Sequence, residues 1–83
     1  MRVRVKLHGM FKIGVKDPDG VVELTLPDKT DVAGLIEALR ETSPTLDPRA
    51  CLVMIGGARV SLDRTLRDGE EVGLYSVFSG GSA

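Results

Sequence analysis

The stretch Asp68-Gly69-Glu70-Glu71-Val72-Gly73-Leu74-Tyr75-Ser76-Val77-Phe78-Ser79-Gly80-Gly81-Ser82-Ala83 decides how this chain is read. Asp68-Gly69 marks a tight turn, because glycine accepts the positive φ such turns require. Val72 and Leu74 then alternate with Gly73 and Tyr75, the period of a half-buried strand. Tyr75 and Val77 fall on the face opposite Val72. The strand runs through Phe78 into Ser79-Gly80-Gly81. Neither glycine carries a Cβ, so this segment cannot fill a core. It can thread backbone-first into a slot where a side chain would clash. That makes the Gly81 carbonyl a candidate reactive centre, with Ser82 and Ala83 behind it. On composition alone the same residues also read as a frayed, solvated tail.

Working back from this strand, Ser61 to Arg67 reads as a connection with a short helical turn at Leu62 to Leu66. Before it, Cys51-Leu52-Val53-Met54-Ile55 is a strand apolar on both faces. Gly56-Gly57 follows as a hairpin turn, and Arg59-Val60 starts a short return strand. A single sheet with one helix layer has a core on one side only. If Cys51, Val53 and Ile55 face the helix, Leu52 and Met54 face outward with Tyr75 and Val77. Such a patch is large for a monomer of this size; the alternative is scattered surface apolars, which are common.

At the other end, Val3, Val5 and Leu7 alternate with Arg2, Arg4 and Lys6, giving a strand with one face on a core. The basic stripe is either a solvated face or a surface for an acidic partner. Phe11 and Ile13 continue the strand around a bulge at Gly9 or Gly14. Asp17-Pro18-Asp19-Gly20 is a turn, after which Val22, Leu24 and Leu26 alternate with Val21, Glu23 and Thr25 as the second arm of a hairpin. Thr30 is the expected helix cap, with Asp31 on the positive N-terminus. Val32, Leu35, Ile36 and Leu39 then form one apolar stripe at helical spacing. Pro44 stops the helix by Ser43, and Thr45 to Arg49 is a loop. The expected core is Val3, Val5, Val22, Leu24, Val32, Leu35, Ile36, Leu39, Val53, Val72 and Leu74.

With 83 residues the chain is one domain's worth. At this size folding buries little more than ~60% of the unfolded surface, so the core is thin. A net charge of -1 lacks the footprint of a nucleic-acid or anionic-membrane binder. Cys51 is the only cysteine and His8 the only histidine, which excludes an internal disulfide, a cysteine cluster for zinc and a multi-histidine metal site within one chain. Cys51 reads as a small core residue and not a nucleophile, and His8 as a loop or strand-end residue and not a ligand. The longest apolar run, Cys51 to Ile55, is far too short to span a bilayer, and no signal-peptide core precedes it. The expectation is a reduced, soluble, cytoplasmic protein.

The order strand, strand, helix, strand, short strand, strand is that of the ubiquitin-like β-grasp fold, an α+β class with a mixed four- to five-stranded sheet and one main helix across one face. In this setting the chain resembles the MoaD/ThiS-type sulfur carriers. Leu24-Thr25-Leu26-Pro27-Asp28-Lys29-Thr30-Asp31-Val32-Ala33-Gly34-Leu35-Ile36 is similar to the family's second strand and helix start. Leu66-Arg67-Asp68-Gly69-Glu70-Glu71-Val72 resembles its turn before the last strand, and Ser79-Gly80-Gly81 its terminal diglycine. The resemblance implies parallel first and last strands at the sheet's centre.

It also implies a β-grasp domain over residues 1–78 and a flexible tail over 79–83. It further implies a carrier that is a protein co-substrate and not an enzyme, holding no cofactor or metal of its own. A ubiquitin-activating-enzyme-like adenylating enzyme uses ATP on the Gly81 carboxylate, which then becomes a thiocarboxylate. Ser79, Gly80 and Gly81 thread the partner's slot. Met54 and Tyr75, with Leu52, Val77 and Phe78, are the expected partner interface. Ser82 and Ala83 depart from the family's usual ending and look like an extension removed by a JAMM-type zinc protease or another peptidase. A sulfur-accepting biosynthetic enzyme is the remaining partner. The alternatives are a ubiquitin-like modifier joined to lysines, and a non-conjugated β-grasp interaction module.

Overall fold

A computed structural model describes residues 1–9, 19–41, 43–44 and 46–76. Its elements in chain order are β1 (Arg2–Leu7), β2 (Val21–Thr25), α1 (Val32–Leu39), β3 (Cys51–Ile55), β4 (Ala58–Arg59) and β5 (Glu71–Ser76). The strands form one five-stranded sheet in the order β2-β1-β5-β3-β4. β1 and β5 are parallel neighbours, and the other pairs are antiparallel. This is the ubiquitin-like β-grasp, with the first and last strands at the centre as expected.

The alternation in β1 translates directly into burial: Val3, Val5 and Leu7 are inside, while Arg2, Arg4 and Lys6 are exposed. Val72 and Leu74 of β5 and Val53 of β3 meet them on the same side of the sheet. α1 lays its whole apolar stripe, Val32, Leu35, Ile36 and Leu39, into this core. Burying side chains of this kind stabilises by ~1.5–3 kcal/mol each before chain entropy is counted. Cys51 and Ile55 also pack against the core, so β3 has the register expected from its sequence.

The helix start differs from the sequence reading by one residue. Asp31 is the N-cap, its carboxylate accepting from Gly34 N at 2.9 Å. Thr30 is committed elsewhere: its hydroxyl donates to the Pro27 carbonyl at 2.7 Å. Gly34 belongs to the same arrangement, since a Cβ there would lie 2.9 Å from Thr30 Cγ2. The remaining helix donors explain a second difference. Val32 N and Ala33 N donate to the carbonyls of Arg64 and Leu62, at 3.0 and 2.9 Å. The segment from Ser61 to Arg67 therefore holds no helical turn. It makes a non-helical turn at Leu62 and Asp63, where Arg64 N donates to the Ser61 carbonyl at 3.3 Å, then bridges Asp31 to Thr65, and it satisfies backbone donors that a helix start leaves unpaired.

The core also differs in detail. Val22 and Leu24 are only half-buried, because β2 is an edge strand. Leu46, Ala50 and Leu66, absent from the expected core, are buried. Leu46 and Ala50 are brought in by a single 3-10 turn, Pro48–Ala50, whose first residue is preceded by the capping carboxylate of Asp47. The loop expected over Thr45 to Arg49 is thus partly ordered into that turn. Gly20 has φ +74°, and β1 and β2 pair antiparallel, as the two arms were expected to. The expectations for Phe11, Ile13 and Asp17-Pro18 lie outside the described residues.

Candidate interaction face and tail

The candidate site is built on the sheet face that α1 does not cover. Strand register places its side chains in rows. One row runs Lys6, Gly73, Met54, Arg59 across β1, β5, β3 and β4. In the next, Leu52 of β3 stands opposite Tyr75 of β5. His8, just past β1, completes that row: its backbone N donates to the Leu74 carbonyl at 3.0 Å, and its ring stacks on Tyr75. The ring centroids are 4.1 Å apart and the planes 7° from parallel.

Gly73 shapes the surface. The Tyr75 ring leans over it, and a Cβ at position 73 would sit 3.1 Å from Tyr75 Cε1. A shallow hollow beside it is lined by Lys6, His8, Met54, Glu71, Gly73 and Tyr75, with the Gly56-Gly57 turn next to them. Those two glycines have φ of +60° and +80°, the pair of positive values that a two-residue hairpin turn needs. Tyr75 is 38% exposed, one of two large apolar side chains open to solvent among the described residues. The structure therefore brings Leu52, Met54 and Tyr75 together as expected. Val77, Phe78 and the whole tail, Ser79 to Ala83, lie outside the described residues.

The residues missed by sequence reasoning are His8, Gly73 and Arg59; Lys6 belongs to the basic stripe already read as a solvated face or a surface for an acidic partner. His8 had a readable signal: it continues the outward positions Arg2, Arg4 and Lys6 by one more step of two. Its stacking partner is far along the chain, so no local pattern could have paired them.

Electrostatically the basic stripe is divided. Arg2 lies 2.9 Å and Arg4 4.0 Å from the Glu23 carboxylate. Lys6 and Arg59 form no ion pair within 4.0 Å among the described residues. Away from this face, Arg64 hydrogen-bonds the Glu70 carboxylate, which also accepts from Arg67 N at 2.6 Å. The Arg64 hydrogen bond holds the Glu70 carboxyl below its ordinary range, although partial burial works against it. Burial, followed by the charge of Asp47, pushes the Cys51 thiol up to about 11, the environment of a core residue and not a nucleophile. Among the described residues there is no cluster of three or more metal-ligating side chains, and no helix long and apolar enough to cross a membrane.

The fold and this face together define a ubiquitin-like β-grasp protein. Among solved structures it is similar to small archaeal modifier protein 1 from Haloferax volcanii, with a TM-score of 0.76 at 17% identity over 93% of this chain and 98% of that one. It is also similar to a putative molybdopterin converting factor subunit 1 from Pyrococcus furiosus, with a TM-score of 0.75 at 24% identity over 93% and 98%. A third likeness is to the complex of subunits 1 and 2 of molybdopterin-converting factor from Helicobacter pylori, with a TM-score of 0.64 at 20% identity over 98% and 100%. At these identities the likeness establishes the fold, and the structures sharing it are of the kind the sequence resembles. No protein-family model and no curated protein matches the chain.

Proposed function

We propose that this chain is a sulfur carrier of the MoaD/ThiS type, a protein co-substrate whose Gly81 is charged by a partner enzyme. The observation that supports this most directly is positional. The central strand β5 ends at Ser76, and the sequence continues from it to Gly80-Gly81. The outward face beside that strand end, with Leu52, Met54 and Tyr75, is the docking surface for the adenylating enzyme.

The chemistry requires a free carboxylate at Gly81. In the full sequence Gly81 is joined to Ser82 by an amide, which ATP does not activate. A JAMM-type or other peptidase first hydrolyses the Gly81–Ser82 bond and releases Ser-Ala. A Gly81 carboxylate oxygen then attacks the α-phosphorus of ATP held by the partner, forming an acyl adenylate and expelling pyrophosphate. Sulfide attacks the acyl carbon, AMP leaves, and a thiocarboxylate remains. With an enzyme persulfide as donor, a thiol must then cleave the acyl disulfide. The carrier's own part is to present a backbone without side chains; the cofactor, ATP, belongs to the partner. A sulfur-accepting biosynthetic enzyme takes the product, in the cytoplasm. The Helicobacter pylori likeness, a complex of two subunits, is in keeping with a carrier that docks on such an enzyme.

The test compares full-length protein with protein ending at Gly81, each with a ubiquitin-activating-enzyme-like adenylating enzyme from the same genome, ATP and a sulfur donor. The truncated form should gain the mass of sulfur in place of oxygen; the full-length form should not. Gly80→Val or Gly81→Val should abolish charging without unfolding the domain, because the lesion is steric access. Charging of uncleaved protein, or an inert truncated form, overturns the reading. The likeness to an archaeal modifier protein supports a second reading, in which Gly81 is joined to lysines. Higher-mass conjugates in cell extract would select it.

A further inference from the structure

Between β4 and β5 the chain is tied to the rest of the domain by backbone hydrogen bonds more than by packing. From Ser61 to Glu70 only Leu66 is buried, and most of the other residues are exposed. The segment crosses the start of α1 as a strap. Val32 N and Ala33 N donate to its Arg64 and Leu62 carbonyls, and its Leu66 N donates back to the Thr30 carbonyl at 2.9 Å. Both ends of the strap are anchored to the sheet. On the β4 side Val60 N donates to the Val53 carbonyl at 3.0 Å. On the β5 side Gly69 N donates to the Arg2 carbonyl, and the Asp68 carboxylate accepts from Arg2 N, each at 2.8 Å. Glu70 then clasps the strap to this anchor: its carboxylate takes the Arg64 guanidinium and Arg67 N, while its carbonyl accepts from Arg4 N of β1 at 3.0 Å.

We propose that residues 61–67 open as a unit while the sheet stays paired, and that the Arg64–Glu70 clasp sets how often they do so. Opening exposes one large buried side chain, Leu66, and passes a few backbone hydrogen bonds near the surface to water. The β1–β5 ladder, by contrast, opens only with the core. The closed strap also completes α1. When it lifts, the amides of Val32 and Ala33 lose their acceptors, and a helix of eight residues is too short to hold that end alone. Glu70 resists the change, because Arg64 leaves with the strap and gives up a charge-assisted hydrogen bond. The open segment presents the Arg64–Thr65 peptide bond in an accessible, extended form. That is the form a serine protease with a pocket for basic side chains takes, so the strap is where such an enzyme enters the folded domain. The strap joins β5 at the end opposite Ser76, so its opening leaves the strand end that leads to the tail in place.

The test is native-state hydrogen exchange of the full chain, followed at single amides. Val32, Ala33 and Leu66 should exchange as one group, about tenfold or more faster than Val5 and Val72 after correction for intrinsic rates. The group should respond little to urea, because a local opening exposes little surface. Glu70→Gln should speed its exchange by about tenfold at neutral pH, since Arg64 then leaves a neutral acceptor and not a carboxylate. Arg64→Ala should do the same, and the two changes together should add little, because both undo one clasp. Unmoved core resonances would show that the variants are folded. Limited digestion with trypsin is the second measurement: cleavage at Arg64–Thr65 should quicken in Glu70→Gln in step with the exchange of the three amides. Exchange of the group at the rate and urea dependence of Val5 and Val72 would overturn the inference, because the strap would then open only with the whole domain. Three unrelated rates, exchange unmoved by either variant, or cleavage that does not follow exchange would each overturn it as well.

Discussion

The ring of His8 lies parallel to the ring of Tyr75 with 4.1 Å between centroids, joining the end of β1 to the exposed face of β5. Because Tyr75 also leans over Gly73, one small residue governs the position of both rings. Gly73→Ala should leave global stability within ~1 kcal/mol, as the edge of an exposed ring can yield where a packed core cannot. It should nevertheless displace Tyr75. Tyr75 is the only tyrosine and there is no tryptophan, so intrinsic emission reports on it without interference. Emission unchanged by Gly73→Ala and by His8→Ala would mean that the stack does not hold in solution.

Leu35→Ala should cost ~2–5 kcal/mol, much of the stability of so small a domain. Leu35 is completely buried in the middle of the α1 stripe. Urea unfolding of the two proteins measures the difference. A loss below about half a kcal/mol, the range of surface changes, would show the helix face to be misplaced.

Met54→Glu should weaken docking of the proposed adenylating enzyme by tenfold or more, about 1.4 kcal/mol, because a charge would have to be desolvated where an apolar contact is expected. The fold should survive, since Met54 points away from α1 and lies outside the buried core. A titration in which partner affinity is unchanged ends the assignment of this face.

Glu70→Gln should destabilise the protein at neutral pH and cease to matter in acid. The native carboxyl is held below the ordinary value, chiefly by the Arg64 hydrogen bond, so its charged form stabilises the fold. That contribution is complete above the unfolded-state value of about 4.3 and is lost as pH falls through the lowered native one. The gap between the two proteins' unfolding midpoints should therefore close on acidification. A gap that persists unchanged to the acid limit would show that Glu70 acts by shape and not by charge.

Much of this architecture was legible because its signals are local. Alternation from Arg2 to Leu7 and the stripe from Val32 to Leu39 each settle an element without help from distant residues. What escaped depends on partners far along the chain. Thr30 and Asp31 are both competent caps; the choice falls to Asp31 because the Thr30 hydroxyl is turned to Pro27. Leu46 and Leu66 sit in irregular segments with no period, and only packing reveals them as core. Val22 and Leu24 have the right alternation, yet a place at the sheet edge leaves them half-covered. For the candidate site, the outward set of Leu52, Met54 and Tyr75 followed from strand period alone. His8, Gly73 and the division of the cations required the register between β1, β5 and β3.

The central place of β5 also has a mechanical meaning. It is held by β1 along one edge and by β3 along the other. A load drawn through the C-terminal end along the strand axis falls on both ladders together. To move, β5 must slide past two neighbours and shear many hydrogen bonds at once, where an edge strand peeled sideways would lose them one by one. A chain gripped by its last residues can thus be tugged into a tight passage and released with its body still folded.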